Sequence, residues 1–217
     1  MKLELTPRLA LLASWVPPGA RLIDVGTDHG YLPAWLIQNG RIAEALASDL
    51  RPGPLSRAKD TARRCGVEEK MRLRLCPGLT AIGPEEGDTV AIAGMGGENI
   101  AMILSVAPWT ADGRHTLLLQ PQSRSEVLRA FLMEGGYHIT RERLVYDRGI
   151  LYPVLEARGG EMRLDEGRLL AGAYIEEDPL GDQRLISLIL RDFAALAGLL
   201  RAGAGAGERA EALRREI

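Results

Sequence analysis

Asp24, Gly26, Asp28 and Gly30 fall within seven residues, directly after the apolar pair Leu22-Ile23, and Asp49 follows twenty-five residues beyond Asp24. A strand that ends in an acid and turns through two close glycines into a helix lets main chain approach a nucleotide-like ligand where a side chain would block it. Asp24 is placed to fix that turn, which includes Thr27 and Tyr31, or to meet a ligand ammonium group. Asp49, with Leu50 beside it, is suited to accept hydrogen bonds from both hydroxyls of a ribose. A dinucleotide enzyme shares this geometry but normally has glycine where Asp28 stands. A carboxylate at that point repels a diphosphate and tolerates a sulfonium cation, so the expected cofactor is S-adenosylmethionine. A second glycine cluster, Ala93-Gly94-Met95-Gly96-Gly97, follows a later apolar strand and would expose main-chain amides and carbonyls at the mouth of the site.

These residues need a scaffold, and the hydrophobic pattern supplies one. Thr6-Pro7 starts a first helix that Pro17-Pro18-Gly19 ends. Strands are expected over 21–25, 42–48, 71–75, 89–93 and 115–119, alternating with helices over 31–39, from Pro54 to near Gly66, and from Gly96-Gly97 to Val106. Ser123 and Glu126 read as a capping box for a further helix that Gly135-Gly136 ends. Segments 137–146 and 150–157, joined through Asp147-Arg148-Gly149, read as a hairpin. The implied fold is α/β: a Rossmann-like, doubly wound, mostly parallel sheet with an antiparallel C-terminal strand. We place this domain at 1–160 and a C-terminal helical arm at 161–217. Within the arm, Leu185, Ile189, Phe193, Leu196 and Leu200 mark a long amphipathic helix, followed by a Gly-Ala break over 202–207 and a short second helix over 208–217.

With 217 residues, 46% hydrophobic and 26% charged, the chain can bury one sizeable core. Lys2, Glu4 and Arg8 interrupt the only apolar patch near the start, so neither signal peptide nor membrane anchor is read there, and a cytoplasmic protein is expected. Cys65 and Cys76 match no disulfide framework or zinc spacing, and no metal site is expected. The net charge of -2 hides a local excess: residues 51–74 hold eight basic side chains against three acids.

The stretches Asp24-Val25-Gly26-Thr27-Asp28-His29-Gly30-Tyr31-Leu32-Pro33, Ile92-Ala93-Gly94-Met95-Gly96-Gly97 and Leu119-Gln120-Pro121-Gln122 resemble the successive motifs of the TrmK family, bacterial methyltransferases of tRNA adenine N1. The resemblance runs in order from about Thr6 to Ala157. It implies a class I methyltransferase fold, S-adenosylmethionine as donor, and adenine 22 of the tRNA D-arm as target, with a coiled-coil-like C-terminal region that the segment after Leu180 resembles. At Leu75-Cys76-Pro77-Gly78-Leu79 the chain departs from the acid between two glycines common in the family, so backbone groups at Cys76 or Gly78 are expected to serve the cofactor adenine.

Methylation of a ring nitrogen is an in-line displacement in which positioning supplies most of the rate. Asp28, His29, Gly94, Met95, Gly96 and Gln120 are the catalytic candidates: Asp28 to accept the exocyclic N–H and stabilise the methylated cation, His29 or Tyr31 to orient the base, Gln120 and Gln122 to read its edge. Asp24, Gly26, Thr27, Asp28, Gly30, Tyr31, Asp49, Leu50, Cys76, Gly78, Ala93, Gly94 and Met95 are expected around the cofactor. Arg57, Lys59, Arg63, Arg64, Arg124 and Arg129 are the candidates for phosphates of an extruded tRNA nucleotide. A monomer is expected, with the C-terminal helix as a route to a dimer. Two other readings remain open on sequence: a methyltransferase of small molecules or proteins, and a non-catalytic RNA-binding protein of the same fold.

Overall fold

The computed structural model describes residues 2–201. The expected Gly-Ala break and the helix over 208–217 lie outside the described residues. Two compact units are formed, Met1–Tyr174 and Ile175–Ile217. The segment 161–174 thus joins the first unit, beyond the boundary expected at 160.

The first unit is built on a seven-stranded sheet of order β3-β2-β1-β4-β5-β7-β6. Its strands are β1 (Leu22–Val25), β2 (Ala45–Asp49), β3 (Met71–Leu75), β4 (Thr89–Gly96), β5 (Thr116–Ser123), β6 (Tyr137–Asp147) and β7 (Ile150–Gly159). The first five pair in parallel, and β7 runs antiparallel between β5 and β6. Each inner strand is apolar on both faces because each face is covered. Leu22, Ala45, Ala47, Ala91 and Leu118 point into one core; Ile23, Leu46, Val90, Ile92, Leu117 and Leu119 point into the other. This period-two division accounts for the continuous Val/Ile/Leu runs in the sequence.

The first core lies beneath α1 (Pro7–Trp15), α2 (Tyr31–Gln38) and α3 (Pro52–Cys65); the second lies beneath α4 (Gly97–Ser105) and α5 (Ser125–Glu134). The β6–β7 turn places Arg148 at φ 53° and Gly149 at φ 79°. Two consecutive positive φ values match the right-handed twist of the flanking strands, as a two-residue hairpin requires.

Two local expectations fail. The capping box at Ser123 and Glu126 does not form: β5 continues to Ser123, and Arg124, at φ 54°, stands at the N-cap of α5 without a side-chain bond. At α1, Thr6 stands at the N-cap but its hydroxyl makes no cap bond either.

A short helix α6 (Glu166–Ala171) closes the first unit. Arg129 on α5 holds it there. Its guanidinium, wholly buried, pairs with Glu142 of β6 at 2.5 Å and donates to the carbonyl of Leu169 at 2.7 Å, while Glu142 also accepts from the Ala173 amide at 2.8 Å. The described residues of the second unit form a 3-10 turn (Ile175–Glu177) and α7 (Gly181–Arg201), on which Ile186, Ile189, Leu190 and Phe193 are exposed.

Candidate active site

Parallel strands whose order reverses at β1 and β4 leave a crevice at their C-terminal ends, and ligands of such sheets bind there. A cavity of about 940 Å³ occupies that crevice. Asp24, Val25, Gly26 and Thr27 after β1 and Asp49 after β2, with the exposed Leu50 beside it, line one part of it, and Ala93, Gly94 and Met95 in β4 form a lip. Pro77, Gly78 and Thr80, with Met102, Ile103 and Val106 from α4 and its C-terminal end, form an apolar side. Thr6, Arg8, Asp28, His29, Tyr31, Gln120 and Gln122 also border it.

The turn after β1 is held from within. The Thr27 hydroxyl donates to Asp24 at 2.5 Å, and the amides of Gly26 and Thr27 donate to the Ser48 carbonyl at 2.8 and 2.9 Å. Gly26 sits at φ +69°, a left-handed conformation that favours glycine, and a Cβ there would lie 1.9 Å from the Met95 methyl and push that side chain aside. Asp49 receives the Arg51 amide at 3.0 Å and the Asp28 amide at 3.4 Å, which ties the first turn to the second strand.

Asp24 and Asp49 are both buried, at 5% and 8% exposure. Burial pushes the Asp24 carboxyl up from 3.8 to about 6; the Thr27 hydrogen bond opposes the rise, and the charge of Asp49 adds to it. Two buried carboxylates at the tips of adjacent strands form a site that favours a cation and hydroxyl donors and disfavours phosphate. Asp24 and Asp49 lie deeper than Asp28, from which that discrimination is expected on sequence. Asp28, at φ 47°, stands on the rim with its side chain 55% exposed and ion-paired with Arg57 of α3.

The remaining expected residues divide clearly. His29 and Tyr31 stack with ring centroids 5.0 Å apart at the cavity wall. Gly30 is buried against α3, next to Ala58, and serves packing. Cys76 does not reach the cavity: its amide donates to the Asp49 carbonyl at 3.0 Å and its thiol is buried, which leaves Gly78, Pro77 and Thr80 at that wall. Gln120 is 1% exposed, and its carboxamide already bonds Arg8, Gly94 and the Pro121 carbonyl. Gly96, after the cavity-lining Met95, ends β4 as the N-cap of α4. Arg57, Arg63 and Arg64 line a second cleft of about 430 Å³ that shares His29 and Tyr31 with the main cavity; Lys59 and Arg124 are exposed. Arg129 is excluded as a phosphate ligand, because it is fully buried on Glu142. Sequence reasoning missed Arg8 and the apolar side at Met102, Ile103 and Val106 as lining residues.

Residues 5–155 match the methyltransferase-domain family. The chain is 34% identical over 160 residues to the tRNA (adenine(22)-N(1))-methyltransferase of Bacillus subtilis, an alignment covering 74% of this chain and 67% of that protein. The chain belongs to the TrmK family of methyltransferases. The crystal structure of the B. subtilis m1A22 tRNA methyltransferase TrmK superposes with a TM-score of 0.88 at 26% identity, over 99% of this chain and 96% of that one. A putative tRNA (m1A22) methyltransferase of Streptococcus pneumoniae, solved in complex with S-adenosyl-L-methionine, superposes at 0.81 with 32% identity, over 96% and 97%.

The cavity fits the cofactor of the TrmK family. Two buried carboxylates, Asp24 and Asp49, a close-approach turn at Gly26 and an apolar side at Leu50, Ile103 and Val106 match the chemistry of a ligand that carries an ammonium group, a ribose diol and a flat ring. No described helix is long and apolar enough to cross a membrane.

Proposed function

We propose that the chain transfers the methyl group of S-adenosylmethionine to N1 of adenine 22 in tRNA. The observation that carries the reading is the pair of buried carboxylates, Asp24 and Asp49, beneath a 940 Å³ cavity in a chain of the TrmK family. S-adenosylmethionine supplies, when bound, an electrophilic methyl group on a sulfonium. Asp24 would receive its ammonium group, Asp49 its ribose hydroxyls, and Gly78, Pro77 and Thr80, with Leu50, its adenine.

Asp28, His29, Tyr31, Gly94, Met95 and Gln122 then face the incoming base. The N1 lone pair of adenine needs no general base, so these groups orient rather than deprotonate. Asp28 accepts the exocyclic N–H and stabilises the positive charge that methylation leaves on the ring. Arg57, Lys59, Arg63, Arg64 and Arg124 take phosphates of the extruded nucleotide and its neighbours. The chain acts as a monomer in the cytoplasm, as a methyltransferase domain with a C-terminal helical arm.

Labelled S-adenosylmethionine and unmodified tRNA transcripts test the reading. Label should enter a transcript with adenine at position 22 and not one with guanine there. Equal labelling of both would overturn the target assignment, and labelling of small molecules or proteins alone would overturn the substrate class.

A further inference from the structure

Arg8 joins three elements at the edge of the cavity. From the first turn of α1 its Nε donates to Asp147 at the end of β6 at 2.6 Å, and its Nη1 donates to the Gln120 side-chain oxygen on β5 at 3.1 Å. Its guanidinium also lies 4.5 Å from the centroid of the Tyr152 ring of β7. The Arg8 side chain is 20% exposed and that of Asp147 4%, so the ion pair is largely removed from water and holds its geometry better than a surface pair would.

What Arg8 holds is the orientation of one amide. The Gln120 oxygen accepts from Arg8 and from the Gly94 amide at 3.2 Å, while its nitrogen donates to the Pro121 carbonyl at 2.9 Å. Turning the carboxamide over would set its N–H groups against two donors and its oxygen against a carbonyl, all in a buried position. Gly94 needs this partner because β4 leaves its regular pairing with β5 here: the register shifts between Ala93 and Met95, and Gly94 lies at φ +79°. The path Asp147–Arg8–Gln120–Gly94 therefore determines where the Gly94-Met95 backbone lies at the cavity lip.

We infer that Arg8 is a positioning residue for methyl transfer: through Gln120 it fixes the Gly94-Met95 lip against which the target base is aligned. The inference rests on the methyl-transfer reading above. Arg8→Lys keeps the charge but lacks the planar fork that reaches Asp147 and Gln120 together, so it should fail to rescue.

The test uses the full chain carrying Arg8→Met, Arg8→Lys, Gln120→Met and the Arg8→Met/Gln120→Met double variant. Each single variant should lower kcat by about tenfold or more, with KM for tRNA and calorimetric Kd for S-adenosylmethionine within about threefold of the parent. The double variant should lose no more than the worse single, as members of one path do. A readout independent of turnover is the Met95 methyl resonance in protein with labelled methionine methyl groups, assigned by Met95→Leu. It should move in the Arg8 and Gln120 variants alike, including the milder Arg8→Lys should Arg8→Met fold poorly. An unchanged kcat, multiplied losses in the double variant, an effect confined to KM for tRNA, or an unmoved Met95 resonance would each overturn the inference. A parent protein that binds cofactor yet methylates no tRNA would instead overturn the function, and the resonance would still report whether Arg8 sets the lip.

Discussion

Asp24 should couple cofactor binding to pH, and in a direction opposite to its effect on the empty protein. Burial raises its carboxyl to about 6, so with no ligand the folded chain favours the protonated form. A raised folded-state pKa contributes stability that is fully present below the unfolded value and is lost as pH rises through the folded one; here the contribution fades between 3.8 and about 6. The shift of about two units corresponds to roughly 3 kcal/mol at neutral pH, an upper figure because neighbouring groups relax. Cofactor binding runs the other way, since an ammonium group requires the carboxylate. A group titrating at about 6 is almost wholly ionised at about pH 8 and about one-tenth ionised at about pH 5, so affinity should fall about tenfold over that range.

Calorimetric titration with S-adenosylhomocysteine across that range reads the effect. In buffers of different ionisation enthalpy it should also show nearly one proton released per ligand at about pH 5 and almost none at about pH 8. Asp24→Asn removes the desolvation cost and the ion together. It should raise the melting temperature of the ligand-free protein at about pH 8 by several degrees, weaken the cofactor, and abolish the pH dependence. A flat affinity from about pH 8 to about pH 5 in the parent, or a variant that binds as well as the parent, would refute the reasoning.

Arg129→Met should cost roughly 3–5 kcal/mol, because it leaves the Glu142 carboxylate buried without its cation; thermal melts should fall by on the order of 10 °C. Adding Glu142→Leu should recover most of that loss, and RNA affinity measured below the melting range should be unaffected by either change. Gly26→Ala forces a side chain into a left-handed turn and against the Met95 methyl, so it should destabilise the fold by about 1–2 kcal/mol and sharply weaken cofactor binding in the same calorimetric assay. Arg57→Ala and Arg63→Ala, at exposed ion pairs, should leave melting temperatures within about 1–2 °C while each raises KM for tRNA and lowers the salt dependence of binding by about one counterion.

What the sequence disclosed follows from the range of the interactions involved. That Asp24, Gly26 and Asp49 would meet at one cavity was legible because a turn and the strand beside it are read by spacing alone. The doubly wound sheet was legible because strands covered on both faces read as unbroken apolar runs. Arg129 was misread although a signal existed: Ser125, Leu128, Arg129 and Leu132 share one buried face of α5, so an arginine there faces the core rather than RNA. Arg8 was not legible, since its partners Gln120 and Asp147 lie 112 and 139 residues away and only the folded sheet brings them together. The Ser123 cap failed because β5 claims that residue for the sheet, a tertiary demand that local motif matching does not see.

Digestion of a reacted, initially unmodified tRNA to nucleosides, with the modified position mapped on the intact strand, addresses the central claim most directly. N1-methyladenosine at position 22, formed only when S-adenosylmethionine is supplied, is the expected product. Methyl groups on the exocyclic nitrogen, at another nucleotide, or on no nucleoside despite measurable cofactor binding would contradict it.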